Sequence, residues 1–378
     1  MKKVLISTIV ASILCVSGQG MAIETKAKNA LLMDAGTGYV MLNKNADKPM
    51  PPASMSKLMT AYMIFDALKK GEITLDTEFT VSENAWRKGG AKSGSSTMFL
   101  KPNQKVRVGD LIRGIIIQSG NDACIVAAEN MAGSEDVFAD MMTQKGKDLG
   151  LKNATFKNAT GLPQKGHEMS AQDLAILAQA LIHDFPEYYG IYSEKEFSYN
   201  GIKQGNRNPL LYGINGADGL KTGHTTASGF GLTGSVKTND DRRLILVING
   251  LKSMKERSDE SKKLVGWGTT AFENIELAKP NQTIVQVPVW LGKANQVAAT
   301  ITEDIPMTIQ RGRTSEVKGT AFYNEPITAP IQKGQKVGTL VVTGPDNQSK
   351  TVDLVASENI ARVGYFGKLK AVVSSWFN

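Results

Sequence analysis

Between the Pro51-Pro52 pair and Gly71, apolar residues crowd the chain at Leu58, Met59, Ala61, Met63, Ile64, Phe65 and Leu68. That density predicts a buried helix with Ser54 at its N-terminus. A second apolar stretch, Val108 to Ala132, carries Leu111-Ile112, Ile115-Ile116-Ile117 and Ile125-Val126-Ala127-Ala128. Ser119-Gly120-Asn121 interrupts it, and a glycine inside a helical pattern marks a turn between helices. Leu31–Met33 and Tyr39–Leu42, joined by Asp34-Ala35-Gly36-Thr37-Gly38, read as a hairpin. Residues 161–169 form a polar loop ahead of a helix over Asp173–His183. Leu220 to Val236 alternates as strand, and Arg243 to Ile248 is a continuous apolar run that reads as a buried strand. Thr238-Asn239-Asp240-Asp241 supplies the turn between them, and Ser258–Ile275 reads as a closing helix.

Early strands, then helices, then late strands predict an α+β domain over residues 23–275, an antiparallel sheet flanked by helices. After Lys279-Pro280 the pattern changes to short strands and turns, which predicts a small all-β domain over 280–357. Residues 359–378 differ again. Val363, Phe366, Leu369, Val373 and Trp376 fall on one helical face beside Arg362, Lys368 and Lys370. That is the pattern of an amphipathic helix lying on an anionic lipid surface. Lys2-Lys3, an apolar run over Val4–Val16 and Gly20-Met21-Ala22 predict a cleaved secretory leader over residues 1–22.

The 378 residues carry a net charge of +8, and loss of a leader holding two lysines leaves +6. Charges of both signs are interspersed, with no basic run and no aromatic interleaving, so nucleic acid is not an expected partner. An anionic surface or substrate suits the balance better. Cys15 lies in the leader, so only Cys124 remains and no internal disulfide is possible. No cofactor or metal is expected.

Three short strings then change the picture: Ser54-Met55-Ser56-Lys57, Ser119-Gly120-Asn121 and Lys221-Thr222-Gly223. Similar spacings recur at Ser315–Lys318, Ser82–Asn84 and Ser357–Asn359, so context decides. On a helix, positions i and i+3 share a face, which lets Ser54 and Lys57 touch. Ser315–Lys318 sits in a strand-like stretch, where the same spacing points to opposite faces. A nucleophilic serine needs an adjacent base, and His167, His183 and His224 come with no histidine-based nucleophile motif. A lysine serves if burial and a second cation lower its pKa. Lys57 has the apolar helix, and Lys221 is the candidate cation. Ser119 offers a proton relay and Asn121 a two-faced amide. Lys221 and Thr222 suit a carboxylate, and Gly223 permits close backbone approach. Read singly, Ser54 or Asn121 could be a helix cap, Lys221 a solvated strand residue and Cys124 an inert buried thiol; His167 and His183 read as surface or loop positions.

The trio resembles that of the penicillin-recognising serine acyl transferases. Pro52–Thr60, Gln118–Cys124, Asp218–Thr225, Asn206-Arg207-Asn208 and Tyr192–Phe197 are similar to the D-alanyl-D-alanine carboxypeptidases related to penicillin-binding proteins 5 and 6. The likeness runs from about residue 27 to the C-terminus, and it implies a β-lactamase/transpeptidase-like fold. It implies that Ser54 is acylated with Lys57 as base, that Ser119 passes a proton, and that Asn121, Lys221, Thr222, Gly223, His224 and Arg207 bind substrate. The oxyanion hole would be the backbone N–H groups of Ser54 and His224. It further implies a peptidoglycan stem peptide as substrate, β-lactams as covalent inhibitors and a place at the outer face of the cytoplasmic membrane. The Gly161-Leu162-Pro163-Gln164 stretch departs from the family pattern. A β-lactamase of the same superfamily is the alternative, and the chain lacks the Glu-x-x-Leu-Asn loop that class A enzymes use.

Overall fold

The computed structural model describes residues 2–6 and 23–365. They form two compact units, one over Ala22–Thr270 and one from Ala271 onward that also takes in the N-terminal strand β1 (Lys2–Ile6).

The first unit is built on an antiparallel sheet. Strands β2 (Asn29–Asp34) and β3 (Val40–Lys44) form the expected hairpin, closed by Asp34 Oδ1 accepting from the N–H groups of Gly36 and Thr37. The central helix α1 (Lys57–Lys69) follows a single 3-10 turn over Ala53–Ser56. Next come β4 (Glu78–Thr80), α2 (Glu83–Gly89), β5 (Lys105–Arg107), α3 (Val108–Ile116), α4 (Asn121–Ala132) and α5 (Glu135–Asp148). Helix α6 (Ala171–Asp184) starts on a capping box in which Ser170 and Asp173 satisfy each other's backbone N–H. After α7 (Pro186–Tyr189), the hairpin β6 (Glu196–Tyr199) and β7 (Ile202–Gly205) leads to β8 (Ala217–Thr225), β9 (Gly229–Lys237), β10 (Arg243–Leu251) and α8 (Met254–Ala271). The sheet order is β3-β2-β10-β9-β8, so the ends of the unit meet and β8 lies at an edge.

Both faces of this sheet are covered, which explains the unbroken apolar run in β10. Ile245 and Val247 face one core, with Leu31 and Met33 of β2 and the helices α1 to α6. Leu244, Leu246 and Ile248 face the other, with Ala30, Leu32 and the α8 residues Leu264 and Val265. A strand buried on two sides gains nothing from polar alternation. Helix α1 is buried almost all round, from Lys57 through Phe65 and at Ala67 and Leu68. A helix apolar on every side belongs in a core, and it carries Lys57 there with it.

The second unit holds the pair β11 (Phe272–Glu276) and β14 (Pro306–Gln310), and a sheet ordered β1-β15-β17-β18-β13-β12-β16. The remaining strands are β12 (Thr283–Trp290), β13 (Gln296–Thr300), β15 (Lys318–Tyr323), β16 (Ile327–Thr328), β17 (Lys336–Thr343) and β18 (Ser349–Ala356). Its core is Val287, Val297, Ala299, Ile309, Leu340 and Leu354 with their neighbours.

Three sequence expectations shift. The closing helix ends at Ala271, because Phe272–Glu276 pairs with β14 instead. Ser315 lies in a 3-10 turn over Thr314–Glu316 rather than in a strand, and Lys318 opens β15. Residues 359–363, expected as the first turn of the terminal helix, are extended: Ile360 bridges to Ile331 and is 5% exposed, and Val363 N–H donates to Leu291 O. The rest of that helix, 366–378, lies outside the described residues. So does most of the expected leader; its described part, Lys2–Ile6, is the strand β1 paired with β15.

Candidate active site

The Ser54 turn is held from two sides by glycine contacts. A Cβ on Gly161, whose φ is +77°, would sit 2.0 Å from Ala53 O. A Cβ on Gly223 would sit 2.8 Å from Pro52 O and 3.2 Å from Ala53 Cβ. Only glycine lets backbone approach so closely, so the loop at 161 and strand β8 clamp the nucleophile's turn between them. Ser54 keeps partial exposure there, while Lys57 is 1% exposed.

Lys57 Nζ donates to Ser54 Oγ at 2.9 Å, to Asn121 Oδ1 at 2.7 Å and to Thr160 O. Two of these partners are pure acceptors; only the serine hydroxyl can also donate. When Lys57 is neutral its two N–H groups go to Asn121 and Thr160, and its lone pair is left facing Ser54. Burial pushes the Lys57 pKa down to about 8, with the Arg207 charge pushing the same way. The carboxylates Asp122 and Glu135 oppose the shift.

The Thr160 carbonyl is placed by a turn organised around Asn158. Asn158 Oδ1 accepts from Thr160 N, Thr160 Oγ1 and Gly161 N, and its Nδ2 donates to Leu162 O and Gln164 Oε1. Sequence reasoning missed both residues. An Asn-x-Thr-Gly turn is visible in sequence, but a backbone acceptor for a distant lysine has no residue-type signature.

Ser119 lies between α3 and α4 with φ +61°, a strained backbone for a residue other than glycine. It is 2% exposed and its Oγ accepts from Lys221 Nζ at 3.0 Å. Asn121 opens α4 and donates from Nδ2 to Ser95 Oγ at 2.8 Å. The segment carrying Ser95 and Ser96 is tied down by Asp122, whose carboxylate accepts from Thr97 Oγ1, Met98 N and Leu100 N.

On β8, Lys221 is 4% exposed and donates also to Thr222 O. Burial drives its pKa well below the usual lysine range, with the charges of Lys57 and Arg207 adding to it. An arriving carboxylate would favour the charged form and offset that. Arg207 is exposed and donates to Ser96 Oγ at 2.6 Å. Arg257 of α8, which the sequence reading did not single out, is 6% exposed, and its charge reaches Lys221. Its Nε is buried without a partner. Side-chain hydrogen bonds thus join Ser54, Lys57 and Asn121 in one set and Ser119 and Lys221 in another, and Arg207 is bonded to Ser96, whose backbone O accepts the Asn121 N–H. The His224 side chain stands outside these contacts, exposed and stacked on Phe230 with ring centroids 3.8 Å apart.

The other candidates separate cleanly. Cys124 is fully buried and burial pushes its thiol up to about 12, an inert thiol as expected. His183 is exposed beside Asp184. His167, expected at the surface or in a loop, is in the loop but only 4% exposed, with its ring edge-on to Phe156. The cavity of about 490 Å³ among α1, α4 and α5, lined by Met63, Asp66, Met131 and Lys145, contains none of the motif residues.

Residues 17–253 match the D-alanyl-D-alanine carboxypeptidase family and residues 272–362 the C-terminal domain of penicillin-binding protein 5. The chain belongs to the D-alanyl-D-alanine carboxypeptidase family. It is 42% identical to the D-alanyl-D-alanine carboxypeptidase DacC of Escherichia coli K12, covering 93% of this chain and 90% of DacC. It is 36% identical to DacF of Bacillus subtilis, covering 93% and 90%. Among solved structures it is similar to penicillin-binding protein 5 from Haemophilus influenzae, with 37% identity, a TM-score of 0.79 and coverage of 90% and 99%. Penicillin-binding protein D2 from Listeria monocytogenes, solved with ampicillin bound, aligns at 27% identity and a TM-score of 0.56 over 65% of this chain and 98% of that one. The carboxypeptidase fold and its appended β domain are therefore both shared with the Haemophilus influenzae structure, whereas the Listeria monocytogenes structure spans only 65% of this chain.

Proposed function

We propose that this serine carboxypeptidase removes the terminal D-alanine of peptidoglycan stem pentapeptides through an acyl-enzyme on Ser54. The observation that carries the assignment of roles is the buried Lys57 amine, held between Ser54 Oγ, Asn121 Oδ1 and Thr160 O. Neutral Lys57 takes the Ser54 proton as Oγ attacks the carbonyl carbon of the penultimate D-alanine. The backbone N–H groups of Ser54 and His224 receive the developing oxyanion. Ser119, in contact with Lys221, delivers a proton to the departing D-alanine nitrogen and is reprotonated through the lysines. Asn121 holds the peptide, and Lys221, Thr222 and Arg207 bind the terminal carboxylate. Water then attacks the ester and returns Ser54 to its hydroxyl form.

The same attack on a strained lactam amide opens the ring and leaves the drug on Ser54; that the Listeria monocytogenes relative was solved in an ampicillin-bound form supports β-lactam binding. After incubation with penicillin, digestion should place the added mass on the peptide containing Ser54, and Ser54→Ala should carry none. An adduct elsewhere, or turnover of the drug within seconds, would contradict the reading, the second in favour of a β-lactamase.

The protein works, on this reading, at the periplasmic face of the cytoplasmic membrane after loss of residues 1–22. The basic and apolar leader pattern and the amphipathic spacing of Phe366, Leu369, Val373 and Trp376 support it. Because 359–363 belong to the β domain, the anchor begins later than the apolar spacing alone suggests. A chain ending at Tyr365 should leave the membrane fraction and still hydrolyse small D-Ala-D-Ala peptides. Retention on the membrane would place the anchor elsewhere.

A further inference from the structure

The carbonyl that faces the Lys57 amine belongs to a turn held through three successive peptide groups. The N–H of Ala159 donates to Glu135 Oε1 at 3.1 Å. The Ala159 C=O accepts from Thr60 Oγ1 at 2.7 Å, and the N–H of the same peptide group, Thr160 N, donates to Asn158 Oδ1. The next peptide group gives its N–H, Gly161 N, to Asn158 Oδ1 and turns its C=O, Thr160 O, to Lys57 Nζ. In this set Thr60 and Lys57 tie the turn to α1, and only Glu135 ties it to α5. Glu135 lies in the first turn of α5, after the cap Ser134, and reaches across 24 positions to Ala159. An acceptor for the amine is only as well aimed as the bonds that lock it.

We propose that Glu135 is a positioning residue for the base: its carboxylate aims Thr160 O at the Lys57 amine, and its negative charge moves the rise of acylation to higher pH. The proposal rests on the reading of Lys57 as the base that takes the Ser54 proton. A neutral amide oxygen could accept the Ala159 N–H as well, so the hydrogen bond alone does not call for a charge. A charge is nonetheless placed there against a cost. Glu135 is half-buried and in no ion pair among the described residues, and burial keeps its carboxyl above the usual carboxylate range. The groups facing Lys57 are Arg207 and Lys221 on the cationic side, Asp122 and Glu135 on the anionic side, and Cys124 and His167, which burial keeps neutral. Asp122 is bound up with Thr97, Met98 and Leu100. Glu135 is the carboxylate whose charge can be removed with its hydrogen bond kept. A nearby carboxylate favours the ammonium form of a lysine, so the amine gives up its proton at higher pH. The N-terminus of α5 also favours a negative charge, but exposed Asp136 supplies one there too.

The test records the pH profile of acylation by penicillin for the unaltered protein and three variants. Glu135→Gln keeps an acceptor for Ala159 and removes the charge, so its inflection should move to lower pH by about half a unit. On the acidic side its rate should then rise about threefold, with the plateau within about twofold of the unaltered protein's. Glu135→Ala removes the acceptor as well, and its plateau should fall roughly tenfold as Thr160 O loses its direction. Asp136→Asn removes a charge of the same sign one position along, and should leave inflection and plateau in place. Stoichiometric labelling at plateau pH reports that each variant is folded with Ser54 intact. A faster rate at acid pH is a gain that loosened packing does not produce. An inflection of Glu135→Gln that stays in place or moves up, an undiminished plateau in Glu135→Ala, or an equal shift from Asp136→Asn would each overturn the proposal. An unaltered protein whose rate shows no inflection would instead overturn the reading of Lys57 as the base.

Discussion

Two stretches of this chain share the spacing Ser-x-x-Lys, and only one of them is equipped for chemistry. At Ser54–Lys57 a 3-10 turn feeds a helix buried on all sides, and the lysine is 1% exposed with three acceptors around it. At Ser315–Lys318 a 3-10 turn feeds a strand, and both the serine and the lysine are exposed. Both sites begin with the same local turn, so spacing and turn geometry do not separate them. What separates them is the element that follows. A core helix carries its first lysine out of water and lowers its pKa, whereas an exposed strand leaves its lysine in water.

The comparison breaks most severely at the two lysines. Lys57→Arg keeps a charge but removes the base, and should cut the rate of acylation by penicillin about 10³-fold or more. Lys318→Arg should leave that rate unchanged. Comparable rates for the two variants would remove Lys57 from its role.

Two glycines sharpen the contrast at smaller amplitude. Gly161→Ala puts a Cβ into Ala53 O at a left-handed φ, and should cost about 2–4 kcal/mol of stability and disturb the Ser54 turn. Gly312, just before the second Ser-x-x-Lys, has φ +84° with open space around it. Its alanine variant should cost only about 1 kcal/mol and leave acylation intact. Thermal unfolding with penicillin labelling reads both, and equal losses would show that the clamp on Ser54 is not tight.

Much of the site was legible because its signals are local. Ser54 and Lys57 are one turn apart, Ser119 and Asn121 flank a helix break, and the buried β10 run announces a strand. Family likeness supplied Arg207, and the need for a second cation near Lys57 brought in Lys221. What sequence did not disclose depends on contacts between distant segments. Thr160 acts through its carbonyl, and Arg257 reaches the site from the last helix of its unit. His167 loses its exposure because the loop folds back so that Lys157 N–H meets its ring. The end of α8 and the extended course of 359–363 were misread for the same reason. Phe272–Glu276 and Ile360 find strand partners that helical spacing does not reveal.

The central claim is that Lys57 works as a neutral amine with a lowered pKa, and the pH dependence of acylation tests it most directly. Protonated Lys57 has no lone pair for the Ser54 proton, so the rate should fall as pH drops through the folded pKa and level off above it. Measured with penicillin between about pH 6 and 10, the second-order acylation rate should rise to a plateau with an inflection near the value of about 8 that burial and Arg207 impose. A rate that stays flat across that range, or that keeps climbing toward the ordinary lysine value of 10.5, would contradict the account.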